Sequence, residues 1–315
     1  MKLGIVLVLT SFSTIGAEFP PLRGVGHLPR SLTELGSSLL GQKRVAELFR
    51  GMANVTTLSA LGRRVHLISL AKDDTIMRLK YEFAKGKDSY GLKRLDSATP
   101  LILDIGGNIG FITSLASRLH DHSQIIVFEP SPATYFCLRI NLWLNKVNIL
   151  TSEELQLRPR AHGVYPVFGG LGGQAPFELL DVDEAWKESS MVERANYQSQ
   201  NVIISFTRPG NVPIYNLPTF MEIHGLTSRV FDLVKLDCEC CEYPLLPQVS
   251  NWITNRSAVK RLAGEVHPCP HIKDWSTVSR FPLELLRQRG CKFPRRIFNP
   301  NGDLIRTADL AEWCH

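Results

Sequence analysis

A chain of 315 residues with 44% hydrophobic and 21% charged residues has the composition of a soluble globular protein with ample material for a core, either one large α/β domain or one domain with an appendage. The net charge of +6 is modest for this length, and the basic residues are scattered apart from small groups such as Arg295-Arg296. No nucleic-acid partner is read from such a balance.

Residues 1–17, MKLGIVLVLTSFSTIGA, combine one Lys, an apolar run from Leu3 to Leu9 and a small residue at Ala17 ahead of EFPP. This is the pattern of a cleavable secretory signal. The apolar run is short and interrupted by Thr10, Ser11 and Ser13, which disfavours a spanning helix. A buried N-terminal strand or helix, an uncleaved anchor and another organelle's targeting segment are the alternatives. The signal reading places the protein in the secretory pathway or outside the cell, with no stable membrane span after cleavage. Sequons at Asn54-Val-Thr and Asn255-Arg-Ser suit a luminal protein, although so short a pattern often arises by chance.

Residues 18–95 read as a linker followed by a helical extension. Glu18 to Arg30 is rich in Pro and Gly, and apolar residues at helical spacing (Leu32, Leu35, Leu39, Leu40, then Val45, Leu48, Phe49) predict one or two amphipathic helices over 31–60. VHLISL at 65–70 reads as a strand, and KYEFAKGKDSYGLKRL as a helix-to-loop approach to the main domain, 96–315.

There the alternation becomes regular. LILDI at 101–105 is a strand, Gly110 to about Leu119 a helix, QIIVFE at 124–129 a strand, and Ala133 to Leu144 a helix. Such βαβα units build parallel sheets with right-handed crossovers. FDLVKLD at 231–237 and RLAGEVH at 261–267 are further strands. Between the first βα units and these strands, 151–230 shows no clean period and is expected to hold a third strand and an insertion, with irregular chain over about 151–215. Asp181, Asp183 and Glu184 read as a solvated turn or helix start.

In an open parallel sheet a ligand lies beyond the carboxyl ends of the strands, near the switch point. The first strand-to-helix turn here is Asp104-Ile-Gly106-Gly107-Asn108-Ile-Gly110. Its glycines permit unusual backbone angles and leave no Cβ between main chain and ligand. Asp104 can accept a hydrogen bond from an ammonium or organise the loop, and Asn108 can bond the turn's backbone or a polar ligand group. Glu129 ends the second strand, placed to hold two ribose hydroxyls. Dinucleotide and S-adenosylmethionine sites share this much. G-x-G-x-x-G is absent, and an acid before the turn suits a cofactor with an amino-acid end and no pyrophosphate.

DIGGNIGFITSLAS, VFEPSPATYFCLRINLWLN and FDLVKLDCECCEYPLL together resemble successive blocks of the FkbM-type family of S-adenosylmethionine-dependent methyltransferases, over roughly 100–268. Two positions depart from the family pattern: Gly107 stands where the family has Ala, and Cys240 where it has Gly in Lys-x-Asp-x-Glu-Gly-x-Glu. The resemblance implies a Rossmann-like class I methyltransferase, a mostly parallel doubly wound sheet with helices on both faces. It also implies methyl transfer, commonly to a hydroxyl oxygen of a glycan or small metabolite.

For the reacting centre, Asp237 and Glu239 at the end of a central strand are candidates to orient or deprotonate the acceptor. The alternative is that Glu239 or Glu242 pairs with a neighbour such as Lys235. His267, ending the next strand, is a candidate base, with a structural hydrogen-bonder as the alternative. Cys238, Cys240, Cys241, His267, Cys269 and His271 admit a metal, a disulfide or buried thiols; the spacing is not that of a zinc finger, and no metal is assigned. Two rival functions remain: an NAD(P)-dependent oxidoreductase, and a secreted non-catalytic binding protein that keeps the fold. Cys240 at the family's Gly position favours the second.

Overall fold

The structure, a computed structural model, describes residues 27–41, 55–69, 75–83, 86–157, 161–184, 202–269, 280–295, 308–310 and 314. The signal segment, most of the linker, Asn54, the set Val45, Leu48 and Phe49, and His271 lie outside the described residues.

Helix α1 (Arg30–Leu40) matches the first part of the expected helical extension. Residues 56–60 do not: β1 (Thr56–Ala60) and β2 (Arg63–Leu67) form an antiparallel hairpin, Thr56 opposite Leu67. Its two-residue turn places both Leu61 (φ 52) and Gly62 (φ 82) in the left-handed region, as a twisted hairpin demands. Leu in that position carries no turn signal, which is why the helical reading runs on to Ala60 and only the second strand is anticipated, at 65–70. Helix α2 (Thr75–Glu82) and a 3₁₀ turn at Leu92–Arg94 lead into the main sheet.

That sheet has six strands in the order β12-β11-β10-β3-β4-β5: β3 (Leu101–Ile105), β4 (Gln124–Glu129), β5 (Gly163–Phe168), β10 (Leu233–Leu236), β11 (Leu262–Val266) and β12 (Ala308–Asp309). All neighbours are parallel except the short β12, which runs antiparallel to β11. The result is an α/β architecture compatible with a Rossmann-like fold. From β3 the chain winds outward through α3 (Phe111–Leu119), β4, α4 (Pro132–Leu144) and β5; from β10 it winds the other way through α7 (Glu242–Gln248), α8 (Ser250–Thr254), β11 and α9 (Arg280–Gln288). Alternate residues of each strand enter separate cores. Leu101, Leu103 and Ile105 pack with Leu245 of α7 and Leu283 of α9, whereas Ile102, Ile125 and Val127 pack with Leu115 of α3, Leu138 of α4 and Val65 of the hairpin. Burial on both faces is why these strands read as continuous aliphatic runs.

The third strand expected between 151 and 230 is β5, which follows the short helix α5 (Ser152–Leu157) and pairs with β4 from Gln124–Gly163 to Glu129–Phe168. The insertion is a four-stranded sheet in the order β6-β9-β7-β8, from β6 (Gly170–Leu171), β7 (Phe177–Glu184), β8 (Val202–Pro209) and β9 (Val212–Tyr215), followed by α6 (Leu217–Ile223). Asp181, Asp183 and Glu184 stand in β7, opposite Ser205, Ile203 and Val202, and are therefore neither a turn nor a helix start. Pairing with β8 overrides the low strand preference of acidic residues.

One buried side chain ties these parts to the glycine turn. Asn141 of α4 accepts from Ile68 N–H at 2.7 Å and donates to Ile68 C=O at 3.0 Å and Ile109 C=O at 2.7 Å. Asn141→Leu would strand all three main-chain groups, and loss of about 2–3 kcal/mol in urea denaturation is expected. A change below about 0.5 kcal/mol would show that water satisfies them.

Candidate active site

The β3–α3 turn sits at the switch point, where β3 and β10 are neighbours and the chain winds away in opposite directions. Gly106 and Gly107 both donate to Phe128 C=O, at 3.1 and 2.8 Å, which pins the turn to β4. Gly106 has φ 83, and a Cβ there would lie 1.8 Å from Asp237 C=O, so glycine is what lets the ends of β3 and β10 meet. At Gly107 a Cβ would stand 2.2 Å from Val127 Cγ2. Gly at this position thus goes with the packing of this Val. Asn108 Oδ1 accepts from Ile109 N–H at 2.6 Å, a bond within the turn.

A cavity of about 300 Å³ opens beside this turn. Gly106, Gly107, Asn108 and Glu129 border it; Asp104 and Gly110, also expected at the cofactor, lie behind it. Gly110 packs against Leu138. Asp104 is 1% exposed, accepts from Thr113 Oγ1 at 2.6 Å and stands 3.0 Å from Lys235 Nζ, which in turn donates to Gly106 C=O at 2.7 Å. Of its two anticipated roles, this geometry is that of organising the loop. Burial pushes the Lys235 ammonium down, but Asp104 and Asp237 outweigh it and raise the group overall, so it stays charged.

Glu129 ends β4 with its carboxylate almost wholly buried; Oε2 accepts from Asn108 N–H and Oε1 from Ser131 N–H, both at 2.8 Å. Each oxygen keeps a further lone pair. Burial raises this carboxyl to about 7, against the opposing effect of the two main-chain bonds.

The opposite wall is built by the ends of β10 and β11. Asp237 Oδ2 accepts from the Tyr90 hydroxyl at 3.4 Å and lies 3.8 Å from Lys235 Nζ; its Oδ1 is 3.6 Å from His267 Nε2. Burial first, then Asp237, holds the Tyr90 phenol well above its ordinary range, so it remains a donor. Glu239 and Glu265 reach the same imidazole nitrogen at 3.9 and 3.4 Å. On the other side of the ring, His267 Nδ1 bonds Glu242 Oε1 at 2.6 Å. Glu242 is therefore the partner of His267, while Lys235 pairs with Asp104 and Asp237. Burial opposes the imidazolium, yet Glu242, Glu265 and Glu239 carry His267 well above its ordinary value. These carboxylates favour the charged form of the ring, which bears against the role of free base that the sequence suggested.

Two disulfides brace the loop after β10, Cys238–Cys241 and Cys240–Cys269, and a third joins Cys291 to Cys314. The four cysteines of the first two are thus covalently committed, which resolves their alternatives in favour of disulfides and removes them as thiolate ligands. Cys137 is a buried thiol in α4. Glu239 (φ 51) and Cys240 (φ 78) are both left-handed, so Cys240 keeps the backbone conformation that favours glycine, tied to Cys269.

Tyr90, Glu82 and Glu265 border the cavity and were not singled out by sequence. Tyr90 arrives from a segment with no period of its own. Glu265 carried the one available signal, standing two residues before His267 on a strand and so on the same face.

Comparison with known proteins finds 38% identity over 56 residues with a protein named Methyltransferase 1 from Beauveria bassiana (strain ARSEF 2860), a stretch covering 18% of this chain and 22% of that protein. The similarity to a methyltransferase is thus confined to a small part of each. No family model matches the chain, and no solved structure matches it.

Proposed function

We propose that the chain is an S-adenosylmethionine-dependent methyltransferase of the FkbM type that moves a methyl group to a hydroxyl oxygen of a glycan or small metabolite. The observation that carries this reading is one cavity with the glycine turn and Glu129 on one wall and Asp237 on the other. The residues fit the donor. Glu129 has spare lone pairs for ribose hydroxyls, Gly106 to Asn108 border the space for its amino-acid end, and Asp237, Glu239, Glu265 and Glu82 surround it with negative charge suited to a sulfonium. The similarity to a named methyltransferase agrees with it.

When bound, the donor supplies an already electrophilic methyl group. The protein's remaining tasks are alignment and the removal of one proton. Asp237 is assigned the acceptor's proton. Tyr90 and Lys235 fix its position from one side and His267 from the other. Glu239, on the same rim, orients the acceptor. His267, beside Asp237, acts as a positioning residue. An oxidoreductase is disfavoured because the acid-rich cavity opposes a pyrophosphate. A non-catalytic module is disfavoured because Cys240 retains the backbone its family expects. Three disulfides agree with the secretory signal in favouring an oxidising compartment, where the donor would have to be imported.

Glu129 gives a direct test. Ribose hydroxyls bind its ionised form, and in the free protein that form is lost as pH falls below about 7. S-adenosylmethionine affinity is therefore expected to weaken about tenfold from pH 8 to pH 6 by titration calorimetry, and Glu129→Gln to bind weakly at both. A wild-type profile flat over that range would remove Glu129 from the donor site.

A further inference from the structure

We propose that Asp237, Glu265 and His267 form a divalent-cation site on the wall of the cavity. One ligand atom from each lies within 4.8 Å of the others. His267 Nε2 is 3.6 Å from Asp237 Oδ1 and 3.4 Å from Glu265 Oε2. Ligand atoms about 2.1 Å from a shared ion stand roughly 3–3.5 Å apart, so small side-chain adjustments bring all three onto one ion.

The backbone makes this convergence. Leu236 pairs with Gly264 in the parallel ladder, which sets Asp237 beside Glu265 just beyond it; a Cβ on Gly264 would lie 2.0 Å from Leu236 C=O. Glu265 and His267, two apart on extended chain, then face the same way. Disulfides on either side of Glu239 hold the loop that follows.

Glu242 supplies an independent indication. It is fully buried, one carboxylate oxygen bonds His267 Nδ1 at 2.6 Å, and the other has no hydrogen-bond partner. A buried carboxylate behind a histidine is the arrangement that orients the far nitrogen onto a metal. The charge is also lopsided: Asp237, Glu239, Glu242 and Glu265 surround one imidazole, while Lys235 is shared with Asp104. Two carboxylates and one imidazole, whose Nε2 proton the ion would displace, suit a dication that accepts both oxygen and nitrogen, such as Mn²⁺. Its open positions face the cavity.

The test uses full-length protein freed of metal with EDTA and titrated with MnCl₂, followed by the electron paramagnetic resonance signal of free Mn²⁺, with no donor or acceptor present. The cation site is thereby judged apart from methyl transfer. Uptake of one Mn²⁺ per chain at micromolar concentration, with electron spin-echo modulation from an imidazole nitrogen, is expected. Glu265→Gln should weaken uptake at least tenfold, and Glu153→Gln, at an exposed position of α5, should leave it unchanged. Uptake below a tenth of an equivalent, or bound Mn²⁺ without the nitrogen modulation, overturns the site even if Glu265→Gln fails to fold.

Discussion

Asp237→Asn is expected to lower methyl-transfer turnover by about 10²–10⁴-fold while leaving S-adenosylmethionine affinity within about threefold of wild type. The carboxylate stands at the end of β10, on the wall facing Glu129 and the glycine turn, so its loss leaves the groups assigned to the donor's ribose and amino-acid end in place and removes one of four carboxylates around the sulfonium. An amide of the same shape keeps the contact with Tyr90 but cannot take up a proton at neutral pH. It also removes the negative charge beside Lys235 and His267. Radiolabelled methyl transferred to a mixture of glycans and hydroxylated metabolites measures the effect. Unchanged turnover in a variant that still binds the donor would defeat the assignment.

The second large effect concerns stability. Lys235→Met is expected to cost about 3–5 kcal/mol, measured by urea denaturation under non-reducing conditions. The ammonium lies in the sheet with its side chain 4% exposed, paired with Asp104, whose side chain is 1% exposed. Thr113 satisfies the other oxygen of Asp104, so Lys235 is what neutralises it. Truncating the cation leaves a buried charge behind, whereas Lys235→Met combined with Asp104→Leu removes both and should recover most of the loss. The same change frees Gly106 C=O and disturbs the turn, so donor binding should fall with it. A cost below about 1 kcal/mol for the single variant would mean that Asp104 is neutral or hydrated in the folded protein.

The parallel βα repeats were legible because two-sided burial writes aliphatic runs into β3, β4, β10 and β11, and the glycine turn was legible because the meeting of Gly106 with Asp237 C=O tolerates no side chain. The hairpin β1–β2 was not, since its turn uses Leu61 where Asn would have signalled it. Nor was the four-stranded insertion, whose pairing partners are separated by chain with no common period. At the site, Gly106, Gly107, Asn108, Glu129, Asp237, Glu239 and His267 were candidates from sequence and border one cavity, but their roles were not legible. Asp104 faces Lys235 behind the cavity, and His267 meets Glu242, because both outcomes depend on side-chain direction across adjacent strands. The cysteines show the same limit: spacing left three possibilities open, and only the proximity of Cys240 to Cys269 selects one.

Titration calorimetry of the protein with S-adenosylmethionine, with NAD(P) in a parallel cell, tests the central claim most directly. Micromolar binding of S-adenosylmethionine alone is the predicted result. Binding of NAD(P) alone would contradict it in favour of hydride transfer, and binding of neither by folded protein would leave a fold without the donor site that Glu129 and the glycine turn are argued to form.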